Sequence, residues 1–424
     1  MSRVLVVGFG GREHALAWAL ARSPEVEYVF VAPGNAGTAW AGRAGCAPSK
    51  NVPIQPGDVP ALIDFARANG VDLVVIGAEA PIAAGITDQL SAAGLSVFAP
   101  TQAAGEIESS KAFAKDFMKR HGIPTAEYGV FTDYESAVAY VRSLEKPFVI
   151  KADGLAAGKG VLLPDTGDEA AAILWEIFSG DLFGAAGDKV IIEERLTGRE
   201  VSLLAFSDGE TVLPMPPARD HKRIHDGDQG ANTGGMGAFA PVTDLSADEI
   251  AHITRTILEP TVRGMAAEGR RYVGVLYAGL MLTPDGVRVL EFNCRFGDPE
   301  AQAILPLLDS SLYAVLSACV DGRLTSVRWK DGACAAVVLA SAGYPGLYSK
   351  GLPISGLERV PEDILVFHAG TTRKDGQIIT AGGRVLAVTA VADSLALAIT
   401  RAYEGVEYIH FDGMQFRRDI GSKP

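Results

Sequence analysis

Cysteine is scarce, with four in 424 residues at Cys46, Cys294, Cys319 and Cys334, and no two form a Cys-x-x-Cys pair. That excludes a disulfide framework and a cysteine-paired zinc motif. Long apolar runs are missing as well: nothing approaches the ~18 residues of a membrane span, and residues 335–340 make a core strand at most. Positive charge is in deficit, 38 Lys and Arg against 51 Asp and Glu, for a net charge of −13. So acidic a chain is repelled by a phosphodiester backbone or an anionic membrane. Neither nucleic acid nor membrane is therefore an expected partner, although local basic pockets for small phosphates stay open. The chain runs straight into Val4-Leu5-Val6-Val7 without a basic leader, which points to the cytoplasm. What is abundant is glycine, 48 residues clustered beside charged ones, as where backbone must approach a ligand closely.

At about 100–200 residues per domain the chain holds two to four, and its pattern divides it further. Up to about residue 100, apolar runs at 4–7, 28–31, 71–76 and 95–98 alternate with helical patterns at 14–22, 59–69 and 82–93. That alternation predicts a doubly wound parallel sheet. Ser109 is the expected cap of a helix over 111–121, stopped by Gly122-Ile123-Pro124. A smaller unit follows: strands at 128–131, 148–152, 161–163 and 190–194, helices at 134–144 and 168–178, and a glycine turn at 154–160. Residues 198–320 suggest antiparallel strands with helices near 247–267 and 308–320. Beyond about 325 the pattern is strand-rich, at 333–341, 364–370, 378–380 and 385–391, with a helix over 394–403. The fold class is thus α/β and α+β, in units 1–104, 105–325 (a lid subdomain about 125–195) and 326–424.

Gly8-Phe9-Gly10-Gly11-Arg12-Glu13 lies between strand and helix, where a dinucleotide fingerprint would sit, but Glu13 takes the place of its third glycine. A single phosphate on the helix-start amides and Arg12 suits these residues better, with Glu13 facing hydroxyls or an amine. A ligand-free tight turn is the alternative. Lys151–Gly160, KADGLAAGKG, imitates a P-loop; yet Gly154 and Gly158 enclose three residues, and Gly160 stands where Ser or Thr would hold magnesium. It reads as a glycine loop between strands, either a lid over phosphates or a solvated hairpin tip. Period two puts Glu291 and Asn293 on one face of a strand, two oxygen donors of the kind Mg²⁺ takes beside phosphate. Arg295, Asp298 and Glu300 follow at once, a charge density that calls for a polar ligand. Residues 190–196 run an apolar strand into Glu193, Glu194, Arg195 and Leu196, with Glu200 beyond. Residues 220–223 (DHKR) and 232–237 (NTGGMG) flank what looks like a polar loop whose amides converge on an anionic or polar substrate. His221 is a solvated or hydrogen-bonded histidine rather than a metal ligand.

Taken together, GFGGREHA at 8–15, APGNAGT at 32–38, KADGLAAGKGV at 151–161, DHKR, NTGGMG and EFNCRFGDPE at 291–300 resemble the phosphoribosylamine–glycine ligase family of the ATP-grasp superfamily. The likeness extends to TAGGRVL at 380–386. It implies a central ATP-grasp fold and an ATP-dependent ligation of glycine to 5-phosphoribosylamine in purine biosynthesis, with Mg²⁺ or Mn²⁺. Carried over, Lys111, Lys151, Gly158, Lys159 and Gly160 would meet the ATP phosphates, and Glu193, Leu196 and Glu200 the adenosine. Glu291 and Asn293 would carry the metal. Gly10, Gly11, Arg12, Glu13, Asn35 and Glu79 would bind the phosphoribosyl part. Asp220 and Arg295 would orient glycine, with Asn232, Thr233, Gly234 and Gly235 nearby, and Lys151, Asp220 and Arg295 would form the catalytic set. Ala99, Ala231, Arg195 and Arg199 depart from the family pattern; Ala99 bears on the ribose-phosphate pocket, with crowding and no effect both open, and the two arginines bear on the adenine side. A nicotinamide-dependent oxidoreductase is the rival of another class, and Glu13 argues against it.

Overall fold

Strands that are apolar on both faces need cover from both sides. In the computed structural model, which describes residues 1–154, 160–180 and 182–422, Leu5 and Val7 enter one core while Val4 and Val6 enter the other. Their strand, Ser2–Gly8, is the middle of a parallel sheet ordered Ser49–Asn51, Val26–Pro33, Ser2–Gly8, Leu73–Ile76, Val97–Phe98. All strands run parallel, but the side on which successive strands are added switches between Ser2–Gly8 and Leu73–Ile76, so a crevice opens beyond their carboxyl ends. Gly8 and Gly77 stand there.

The helical pattern at 82–93 is split into Glu79–Ala83 and Ile86–Ala92, because Gly85 adopts a left-handed φ of 81°. The cap assigned to Ser109 belongs to Ser110, whose Oγ accepts from the Phe113 amide at 3.1 Å. Ser109 instead ends a further helix, Gln102–Ser109, capped by Thr101.

Four antiparallel strands, Tyr128–Phe131, Val190–Glu194, Phe148–Ala152 and Val161–Leu162, form the small unit. Helices Tyr134–Ser143 and Gly167–Phe178 pack on it, and Val138, Phe148, Ile150, Leu174, Ile177 and Ile192 give it a core of its own. A second sheet, Val212–Pro214, Arg199–Asp208, Val273–Thr283 and Gly286–Asn293, carries the acidic strand end. Its register slips between Gly279 and Leu280, which pair with Glu291 and Val289, leaving Leu290 without a direct partner.

The segment flanked by residues 220–223 and 232–237 is not a loop but a hairpin. Arg219–Asp220 and Gly237–Ala240 join the strand-rich C-terminal sheet ahead of Ala333–Ala340, Arg384–Ala392 and Leu365–His368. Between them Arg223–His225 and Gln229–Asn232 pair as a hairpin, whose turn uses the left-handed Gly227 and Asp228. Among the described residues no helix is long and apolar enough to cross a membrane.

Candidate active site

The glycine turn is built around one carboxylate. Glu13, 2 % exposed, accepts from the Gly10 amide at 2.6 Å through Oε2 and from Arg12 Nε at 2.7 Å through Oε1. A Cβ on Gly10 would lie 2.8 Å from Glu13 Oε2, and one on Gly8 or Gly77 would overlap the same side chain. Glu13 therefore does not face hydroxyls or an amine; it fixes the helix start and aims Arg12. Gly77→Ala should cost about 1–3 kcal/mol by overpacking this cage, seen as a lower urea midpoint; an unchanged midpoint would show that Glu13 has room to move. Asn35, also buried, donates through Nδ2 to Phe9 O at 2.9 Å and to His368 O at 2.8 Å. The His368 amide donates to His14 Nδ1 at 2.8 Å. Burial and neighbouring His368 hold the His14 pKa well below the usual value, which keeps that acceptor free. The first turn is thus clasped to the C-terminal sheet.

From Arg12 a ladder of alternating charge crosses the crevice. Glu79 Oε2 lies 3.9 Å from Arg12 Nη1 and 3.1 Å from Arg295 Nε. Arg295 Nη2 reaches Glu108 Oε1 at 3.0 Å and donates to Asn293 Oδ1 at 3.1 Å. Glu108 Oε2 accepts from the Cys294 amide at 2.7 Å. Burial alone would lower the Arg295 pKa, but Glu108 and Glu79 outweigh it and raise it.

Lysines gather at the next step. Lys151 and Lys115 both pair with Glu193, and Lys151 Nζ donates to the bulged Leu290 carbonyl at 3.3 Å. Lys111 donates to Gly154 O at 2.8 Å. Burial would raise the Glu291 pKa, yet Lys222, Lys151, Lys111 and Arg295 together bring it below the usual carboxylate range. Glu200 pairs with Lys222 at 2.8 Å, at the rim of a small cleft that Ser202, Asp220, Tyr277 and Leu290 also line.

Asp220 closes the row. Its Oδ1 is buried without a hydrogen-bond partner, and a Cβ on Gly235 would stand 2.6 Å from it. Burial, then the negative charge of Glu300, raises its pKa well above the usual value. Glu300, itself buried, accepts from Tyr277 Oη at 2.6 Å and Ser202 Oγ at 3.2 Å. Arg384 donates from Nη1 to Gly234 O and Asp298 O, both at 2.7 Å, so the C-terminal sheet sets the loop beside Asp220. Thr233 Oγ1 bonds Lys222 O at 2.8 Å, and Asn232 ends the hairpin. His221 is buried rather than solvated, and its Nε2 accepts from the Gly421 amide at 3.3 Å. Burial, then Arg417, pushes its pKa down to about 4.

Compared with known protein families, residues 2–108, 109–301 and 334–423 match the N, ATP-grasp (A) and C domains of phosphoribosylglycinamide synthetase. The chain belongs to the phosphoribosylglycinamide synthetase family. It is 53 % identical over 424 residues to the trifunctional purine biosynthetic protein adenosine-3 of Gallus gallus, covering 99 % of this chain and 42 % of that one. The chain thus spans about two fifths of that relative's length. The phosphoribosylamine–glycine ligase of Vibrio cholerae is 49 % identical over 99 % of this chain and 97 % of its own. The crystal structure of the Thermotoga maritima phosphoribosylamine–glycine ligase superposes with a TM-score of 0.86 at 36 % identity, covering 99 % of this chain and 100 % of that one.

In this chain, then, ion pairs join Arg12, Glu79 and Arg295 and, separately, Lys151 and Glu193; Glu291 faces Lys222, Lys151, Lys111 and Arg295, Asn293 accepts from Arg295, and Glu200 and Asp220 line one small cleft. Gly158 and Lys159 lie outside the described residues. Gly160 is buried, and its carbonyl accepts from the Ala152 amide at 3.0 Å. Leu196 is half-buried just past the strand that carries Glu193. Ala99 does not crowd the crevice; it packs in the core with Leu5 and Val7. Arg199 pairs with Asp244 at 2.6 Å, and the Arg195 side chain is exposed. Glu108, Lys115 and Arg384 escaped the sequence argument, and Glu300 entered it only as part of a charge cluster, without the Tyr277 and Ser202 hydroxyls that hold it. Glu300 and Arg384 lay within recognised motifs, whereas Glu108 and Lys115 stand on helices whose composition carries no such signal.

Proposed function

We infer that this chain is an ATP-dependent ligase joining glycine to 5-phosphoribosylamine, giving glycinamide ribonucleotide, ADP and phosphate in purine biosynthesis. The observation that carries it is the continuous row from Arg12 through Arg295, Glu291 and Lys151 to Asp220, which offers an anion site at one end and an ammonium site at the other. Lys111 and Lys151 hold the ATP phosphates, to which Gly158, Lys159 and Gly160 are assigned as further binding residues by the family motif, and Glu193, Leu196 and Glu200 take the adenosine. Asp220, whose Oδ1 lacks a partner, accepts the glycine ammonium, while Arg295 orients its carboxylate. Asn232, Thr233, Gly234 and Gly235 wall this pocket. Gly10, Gly11 and Arg12 receive the ribose phosphate, Glu13 and Asn35 fixing the turn and Glu79 the far side. The acidic surface and the soluble substrates suit the cytoplasm.

Among the described residues no three His, Cys, Asp or Glu side chains could hold a metal alone. Glu291 and Asn293 supply two hard oxygen donors, which fits Mg²⁺ or Mn²⁺ completed by phosphate oxygens. Such an ion, when bound, neutralises charge on the phosphoryl group in transfer. The glycine carboxylate attacks the γ-phosphorus of ATP, releasing ADP and leaving glycyl phosphate; Lys151 and Arg295 stabilise the charge that develops. The amine of phosphoribosylamine then attacks the acyl carbon and phosphate leaves. Holding both partners in one crevice supplies on the order of 7–11 kcal/mol of the barrier. The test is coupled ADP release with MgATP, glycine and fresh phosphoribosylamine, omitting each in turn. ADP and glycinamide ribonucleotide formed only with all three supports the assignment; ADP formed without glycine overturns the choice of acid.

A further inference from the structure

Lys115 has no part in that chemistry, yet it is only 2 % exposed. It follows Lys111 by one turn of helix Lys111–Arg120, so the two lie on one face. The helix belongs to the main core, where Ala114, Phe117 and Met118 pack with Val289 and Phe292. Lys115 Nζ donates to Thr125 Oγ1 at 2.7 Å, and Thr125 Oγ1 donates to Val289 O at 2.7 Å. Its ionic partner, Glu193, stands on the small unit's strand Val190–Glu194, and the second oxygen of Glu193 pairs with Lys151 from Phe148–Ala152. Burial pushes the Lys115 pKa down to about 8, against the pull of Glu193.

One buried carboxylate facing two ammonium groups has one more than neutrality needs. Were Lys151 the sole partner, moving it onto a phosphate would strand a carboxylate whose side chain is 3 % exposed, a strongly unfavourable state. With Lys115 fixed by Thr125 and by its helix, Glu193 keeps a partner when Lys151 leaves. We propose that Lys115 is a positioning residue: it holds Glu193 so that Lys151 can transfer to the triphosphate of bound ATP. The proposal rests on Lys151 being a phosphate ligand.

Titration calorimetry on the whole chain separates the cases, with MgATP and adenosine as probes. Lys115→Met should weaken MgATP binding at least about tenfold more than it weakens adenosine, which lacks phosphates. In a Glu193→Gln background, where no carboxylate is stranded, the same change should leave the ratio of the two affinities nearly unaltered. Lys115→Arg, which keeps the charge, should restore most of the loss. Equal weakening of both ligands, no weakening, or the same loss in the Glu193→Gln background would overturn the proposal. A parent chain that binds adenosine but shows no added affinity for MgATP would overturn the phosphate site itself. If Lys115→Met does not fold, Lys115→Gln, able to keep the Thr125 contact, carries the same comparison.

Discussion

Glu291→Gln should give a folded protein that has lost about a hundred- to a thousandfold in kcat. The amide has the shape of the carboxylate, so packing on the strand end survives. What disappears is the anion faced by Lys222, Lys151, Lys111 and Arg295 and the charged oxygen proposed for the metal. Near-normal kcat at saturating Mg²⁺ would sink the metal assignment. The same variant has a pH signature. Those cations hold the Glu291 pKa down in the folded state, so its stabilising contribution is complete above its unfolded pKa and is lost as pH falls through the folded value. Between neutral and acid pH the parent should therefore lose more stability than Glu291→Gln; equal losses would show that the carboxylate is not held by its cations.

Arg295→Met should be the most destabilising change in the crevice. It strips the ionic partner from Glu108, whose side chain is 6 % exposed, and the nearer of two from the more open Glu79, which keeps Arg12 at 3.9 Å. Removing one member of a buried pair costs about 3–5 kcal/mol, with the Glu79 share reduced by solvent. Adding Glu108→Gln removes the stranded charge, so urea denaturation should show much of the stability recovered while turnover stays lost. That split separates the structural role of Arg295 from its proposed hold on glycine. Recovery of both together would assign the residue to structure alone.

Much of this was legible along the chain. The strands expected at 148–152 and 190–194 are Phe148–Ala152 and Val190–Glu194, because each is a short apolar run ended by charge or glycine. Helix Gln102–Ser109 went unseen since its sequence, QAAGEIES, has few large apolar residues to reveal a period. The hairpin inside 219–240 was hidden by its polarity: its strands are mostly exposed, so no alternation marks them. Among the proposed site residues, those in contiguous motifs can be named from the sequence. Their supports cannot, because a pairing such as Arg384 with the Asp298 carbonyl joins positions far apart in sequence, and only the fold creates it.

The separate core of the 128–194 unit has a consequence in time. Ala137, Val141, Phe148, Ile150, Ala170, Leu174 and Val190 pack among themselves, whereas Leu5, Val201, Leu280, Val337 and Val388 share one interior from the first sheet to the last. Amide hydrogen exchange should therefore follow two clocks. Protected amides of Phe148–Ala152 and Val190–Glu194 should exchange in one faster class, through an opening that leaves the rest intact. Those of Ser2–Gly8, Val273–Thr283 and Ala333–Ala340 should exchange together, only when the whole molecule unfolds. A single exchange class across all five strands would mean that the 128–194 unit unfolds only with the whole molecule, its separate core notwithstanding.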